Sequence, residues 1–136
     1  MKPKIVFHES KMKIAVKTGF IACRYRDLMY VVYKDLYCTL HFVGNIKHKI
    51  ETTLKYMADH LPRDIFVICN RNTILNLLHC KGYDRVESEI VMDDGAVFAL
   101  SRRNVANFKA KIKNPLHTLT CTNCHTPVRI ADVRTK

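Results

Sequence analysis

The densest group of metal-ligating side chains is His117-x3-Cys121-x2-Cys124-His125. A CxxC knuckle presents two thiolates to one tetrahedral metal, and zinc requires four such donors. His117 is a third candidate ligand, and His125, or a Cys or His from the body of the chain, a fourth. The same pair could remain as free thiols or act as a redox couple, and spacing alone leaves all three readings open. Bound zinc would staple a segment that lacks a core of its own. The same region is basic: Arg102, Arg103, Lys109, Lys111, Lys113, Arg129, Arg134 and Lys136 face one acid, Asp132, with Phe108 as the single aromatic. Such a run suits contact with backbone phosphates or burial in a larger assembly, and it contains no sequence-reading motif. His79-Cys80 is a further juxtaposition, but neighbours on a helix point to different sides, which argues against a Cys–His nucleophile.

These residues must be positioned by a folded body, and the composition provides one. The chain has 136 residues, 48% of them hydrophobic, enough for a single domain with a proper core. The formal charge of +11 points to an anionic partner, either nucleic acid or an acidic protein assembly, reached through the basic arm; a solvated basic surface is the plain alternative. The N-terminus, MKPKIVFHES, has no apolar h-region, and no apolar run approaches the roughly 20 residues that span a bilayer. A cytoplasmic or virion location, without membrane contact or secretion, is therefore expected, and an oligomer is compatible with it. Cys23, Cys38, Cys69 and Cys80 lie within apolar patterns and read as small buried hydrophobes.

The expected elements follow from periodicity. Residues 3–9, 12–17, 20–26, 28–34 and 37–43 are β-branched, aromatic or alternating, and succeed one another as in an antiparallel meander. Ile46, Ile50, Leu54, Met57, Ala58 and Leu61 recur at helical spacing between Asn45, a candidate N-cap, and Pro62, which predicts one helix over 46–61. The stretch 64–83 reads as a buried strand (Ile65–Cys69), a short helix and a glycine stop. A right-handed crossover from strand 37–43 to strand 65–69 would then be parallel. Asp93-Asp94-Gly95 between Tyr83–Met92 and Ala96–Arg102 is a hairpin signal. This gives an α/β (α+β) domain over 1–103, with a mixed, mostly antiparallel sheet and two main helices, and a basic extension over 104–136.

That order of elements contains Asn70-x-x-Thr73-Ile74-x-x-Leu77-Leu78-x-x-Lys81-Gly82-Tyr83. Over residues 12 to 101 it resembles the GNAT superfamily of N-acetyltransferases. The resemblance implies acetyl-CoA as cofactor, its pyrophosphate received at the start of the helix by Val43, Gly44, Asn45, Lys47 and Lys49, with Asn70 ending the central strand. It implies His41, Glu87 or Glu89 as the base that deprotonates an acceptor amine and His79 as the acid toward the leaving thiolate; ordinary strand and surface roles are the alternatives for each. The chain departs from the pattern in having one glycine in the phosphate loop, no tyrosine on the second helix, and no helices between its first two strands. Small GNAT-like proteins of tailed phages show the same loss of the glycine loop. The sequence therefore favours a degenerate, non-catalytic scaffold acting as a virion-associated or host-directed binding protein, with acyl transfer to an amine as the second reading.

Overall fold

The computed structural model describes residues 5–113, 119–120 and 127–128. Every strand pairing in it is antiparallel. Strands β1 (Ile5–Phe7), β2 (Lys11–Val16) and β3 (Gly19–Arg24) form the first sheet, in that order. A 3-10 turn, Tyr25–Asp27, leads into β4 (Leu28–Lys34), β5 (Tyr37–Phe42) and β6 (Ile46–Glu51). The short helix α1 (Leu54–His60) precedes β7 (Phe66–Asn70) and β8 (Thr73–Asn76). These five strands make the central sheet, ordered β6-β5-β4-β8-β7. A second 3-10 turn, Leu77–His79, opens the third sheet of β9 (Cys80–Asp84), β10 (Glu89–Met92) and β11 (Val97–Ala99), with β10 in the middle. Helix α2 (Val105–Lys113) follows, and Leu119–Thr120 (β12) pairs with Pro127–Val128 (β13).

The central sheet is buried on both faces, because its strands send alternate side chains into two separate cores. Leu28, Val31, Leu40, Ile50, Phe66 and Ile74 join Met12 and Ile14 of the first sheet and Met57 and Leu61 around α1. Met29, Tyr30, Val67, Cys69 and Leu75 join Tyr83, Ile90 and Met92 of the third sheet and Phe108 of α2. One buried polar residue ties the layers together. Asn76, fully buried, donates through Nδ2 to the carbonyls of Tyr25 (3.2 Å) and Leu28 (2.8 Å) and accepts from Leu78 N–H (2.8 Å). Asn76→Ala would leave the Leu78 amide without its acceptor and remove a donor from each carbonyl, so it is expected to cost about 2–3 kcal/mol. Urea unfolding checks this, and a loss near zero would show that water replaces the side chain.

The expected antiparallel pairing and α+β class are present, and one of the two expected helices survives in shortened form, but three elements differ. Residues 46–61 are not one helix. Ile46–Glu51 is strand β6, with Lys47, Lys49 and Glu51 exposed and Ile50 buried, and only Leu54–His60 is helical. Ile46 and Ile50 are four apart, a spacing that suits both a helix face and one side of a strand. The helix starts instead at Thr53, whose side chain accepts from Tyr56 N–H (3.0 Å), while Asn45 occupies a tight turn at φ 62°. The second expected helix is likewise strand: Thr73–Asn76 is buried at all four positions, as an internal strand covered on both faces must be. Consequently there is no parallel crossover, since β4 and β8 lie between β5 and β7. The stretch 83–92 is also broken, by a turn in which Asp84 Oδ1 accepts from Val86 N–H (3.0 Å) and Glu87 N–H (3.1 Å) and Ser88 adopts φ 55°.

Residues 104–113, assigned from sequence to the basic extension, include helix α2, which packs Phe108 fully buried 5.2 Å from the Tyr83 ring. None of the described helices is long and apolar enough to cross a membrane.

Candidate nucleic-acid interface

Antiparallel pairing brings separate turns to one end of the central sheet. The β4–β5 turn places Asp35 (φ 52°) and Leu36 (φ 74°) in left-handed backbone, the conformation that a two-residue hairpin turn requires. Leu36 is an unusual occupant of that conformation, and it is 66% exposed. The β7–β8 turn, Arg71-Asn72, lies beside it, because Val32 faces Thr73 across β4 and β8 and Tyr33 N–H donates to the Asn72 carbonyl (2.7 Å). Asn70 shapes that turn. Its Oδ1 accepts from Asn72 N–H (2.9 Å), an Asx-turn, and its Nδ2 donates to the Ala99 carbonyl (2.8 Å).

The chain after β11 is fastened to the same corner. Ser101 N–H donates to the Cys69 carbonyl (3.0 Å), and Asn104 Nδ2 reaches that carbonyl (3.3 Å) and Ser101 Oγ (2.6 Å). Arg103 is thereby held on the rim it shares with Arg71. A surface depression of about 690 Å³ is walled by Asn70, Arg71, Asn72, Ser101, Arg103 and Asn104. Lys34, Arg71, Arg102 and Arg103 are exposed, and none is in an ion pair among the described residues. Exposed guanidinium groups beside amides can fork onto phosphates or onto base edges in a groove. Helix α2 begins just after this corner with no acid in its first turn, so its dipole adds positive potential there. The excess charge belongs to this body: only three of the 23 Lys and Arg residues lie beyond residue 113.

The site residues expected from sequence fall in several places. His41, Val43, Gly44, Asn45, Lys47 and His79 line a second depression at the opposite end of the central sheet, with Asp93 and Asp94. Lys49 lies further along β6, Glu87 is exposed in the β9–β10 turn, and Asn70 belongs to the corner described above. A ring nitrogen of His79 is 2.5 Å from the Arg26 carbonyl and the other is 3.5 Å from Asp93. His117, Cys121, Cys124 and His125, the proposed zinc ligands, lie outside the described residues. Leu36, Arg71 and Asn72 were not legible as site residues. The available signal was Asn70-Arg71-Asn72, a turn sequence between two apolar runs, which the helical reading of the following residues obscured.

His41 is half-buried and stacked on Tyr30 at 4.5 Å, and Tyr30 O–H donates to Asp94 (2.7 Å). Burial lowers the His41 pKa, Lys47 lowers it further, and Asp94 opposes both. The folded protein therefore holds His41 neutral where the unfolded chain has begun to protonate it. Stability should be complete above the ordinary histidine pKa and fall as pH drops through the lowered folded value. Urea unfolding from about pH 7.5 to about pH 5 should show a smaller loss for His41→Gln than for the wild type. Identical losses would place the dependence elsewhere.

The family model described as LytTr DNA-binding domain matches residues 18–113. This chain belongs to that family. Among solved structures it is similar to the LytTr DNA-binding domain of a protein described as a methyl-accepting/DNA response regulator from Bacillus cereus. The TM-score is 0.66 at 23% identity, covering 79% of this chain and 100% of that one, which establishes a shared fold. No curated protein sequence matches. The GNAT resemblance is thereby overturned, together with the degenerate acyltransferase scaffold and the phage virion role that rested on it. Its physical cause is visible in the fold: Asn70 to Tyr83 mimicked a strand–helix–strand motif because Thr73–Asn76 and Leu77–His79 have apolar residues at spacings that fit either period.

Proposed function

We propose that this chain is the DNA-binding domain of a transcription regulator and that it grips duplex DNA with the corner formed by the β4–β5 turn, the β7–β8 turn and Ser101–Asn104. The observation that carries this reading is the convergence of unpaired Arg71 and Arg103 with three asparagines on the rim of one depression. Family membership supports it independently. Neither helix is suited to act as a recognition helix. Helix α1 spans seven residues, and α2 commits Phe108 to the core. Base readout therefore falls to turn side chains. Arg71 and Arg103 would supply bidentate contacts to guanine or phosphate, and Asn72 can pair with adenine in the major groove.

The test is selection from a random duplex library, followed by fluorescence anisotropy on the enriched site. A recovered consensus should bind at least tenfold more tightly than its scrambled sequence, with affinity falling steeply between about 50 and about 200 mM salt. No enrichment, with no binding even at low salt, would defeat the proposal.

A further inference from the structure

Leu36 combines two features that the fold alone does not favour. The β4–β5 turn has Asp35 at φ 52° and Leu36 at φ 74°. Two-residue hairpin turns of this kind take Asn-Gly or Asp-Gly, because both central residues need left-handed backbone. Leucine stands here where glycine is preferred, and its Cβ strains the backbone. Its side chain is 66% exposed, so it buries little apolar area. Glycine would relieve both. Among the described residues the other left-handed non-glycine positions are Asp35, Asn45 and Ser88, all short and polar. Strain of this kind persists where a side chain is needed for function.

The position of the turn selects what the side chain meets. Tyr33 N–H donates to the Asn72 carbonyl, so the β7–β8 turn lies level with Tyr33. Asp35 and Leu36 project past it by roughly 5 Å, beyond the pair Lys34 and Tyr37. The cations Lys34 and Arg71 are therefore set back from the tip. Phosphate would suit those cations, but it would repel Asp35 and gain nothing from Leu36. Base edges suit both tip residues. A two-stranded ribbon fits the major groove, where a carboxylate accepts from cytosine N4 and an apolar side chain packs on the thymine C5 methyl. Glu51, the other acid at this end, lies across β5 from Tyr37, on the side away from Arg71. We infer that Leu36 is a base-reading residue that packs on a thymine methyl in the major groove; the inference rests on the DNA-binding reading above.

The probe is the duplex enriched from the random library, with each thymine replaced in turn by uracil. That change removes only the C5 methyl and keeps the base pairing. Anisotropy is read for the full-length wild type and for Leu36→Gly. The wild type should lose about fourfold in affinity at one thymine or two adjacent ones, as expected for one buried methyl. Leu36→Gly should bind the intact duplex more weakly by about the same factor and be indifferent to uracil at those positions, so the two changes fail to add. Its melting temperature should stay level or rise, because the substitution restores the favoured turn sequence. Leu36→Met, which keeps an apolar side chain, should keep the uracil response. The inference is overturned if Leu36→Gly responds to uracil as the wild type does. It is also overturned if Leu36→Gly lowers the melting temperature by several degrees, which would make Leu36 a structural residue. A duplex bound with every thymine methyl neutral sinks this inference alone, whereas failure to enrich or bind any duplex sinks the DNA-binding reading with it.

Discussion

Arg71→Ala combined with Arg103→Ala is expected to abolish sequence-specific DNA binding. A bidentate arginine contact to a base contributes about 1–3 kcal/mol, so losing two should weaken affinity roughly 30-fold or more. Both residues lie on one rim, held by Asn70 and by the Ser101–Cys69 backbone bond, so their effects should couple rather than simply add. Arg71→Lys and Arg103→Lys separate charge from shape. Lysine retains the charge but not the planar fork, so it should restore nonspecific binding without restoring discrimination. Lys55→Ala is the control, because Lys55 is exposed on α1 and paired with Asp59. Anisotropy on the selected site reads all of these. A double mutant that binds as tightly as the wild type would remove this corner from the interface.

The second large effect concerns the core. Phe108→Ala should destabilise the protein by about 3–5 kcal/mol, since a fully buried aromatic leaves a cavity that its neighbours cannot fill. Its ring packs edge-on against Tyr83, and α2 is laid along β7. Lys111 reinforces that docking by donating to the carbonyls of Arg63 and Phe66. Melting should fall by roughly 10 °C or more. A loss below about 1 kcal/mol would mean that α2 is an appendage rather than part of the second core.

The meander from Lys11 to Phe42 was legible because its residues alternate and its breaks are short. The Asp93-Asp94-Gly95 turn was legible because turn chemistry is local: Ala96 N–H donates to Asp94 Oδ1 (3.0 Å) within it. The identity of residues 46–51 and 73–79 was not legible. Both contain apolar pairs at even spacings that satisfy a helix and a strand equally; burial on both faces decides for the strand at Thr73–Asn76, and antiparallel pairing along β5 decides for it at Ile46–Glu51. The arginines after β11 were visible as a basic run, but their partner Arg71 was not, since nothing local links residue 71 to residue 103.

By itself the sequence determined an antiparallel-rich α+β domain with a strong positive charge, which pointed toward an anionic partner. Local periodicity and net charge are properties of composition and near neighbours, and they survive without a fold. Tertiary structure decided the layering and which turns lie together at the proposed contact. Sheet order β6-β5-β4-β8-β7 brings turns nearly forty residues apart to one end, and bonds from Ser101 and Asn104 to Cys69 add the third segment. A site assembled by long-range strand pairing has no signature at fixed sequence spacing. It exists only once the backbone hydrogen bonds have chosen their partners.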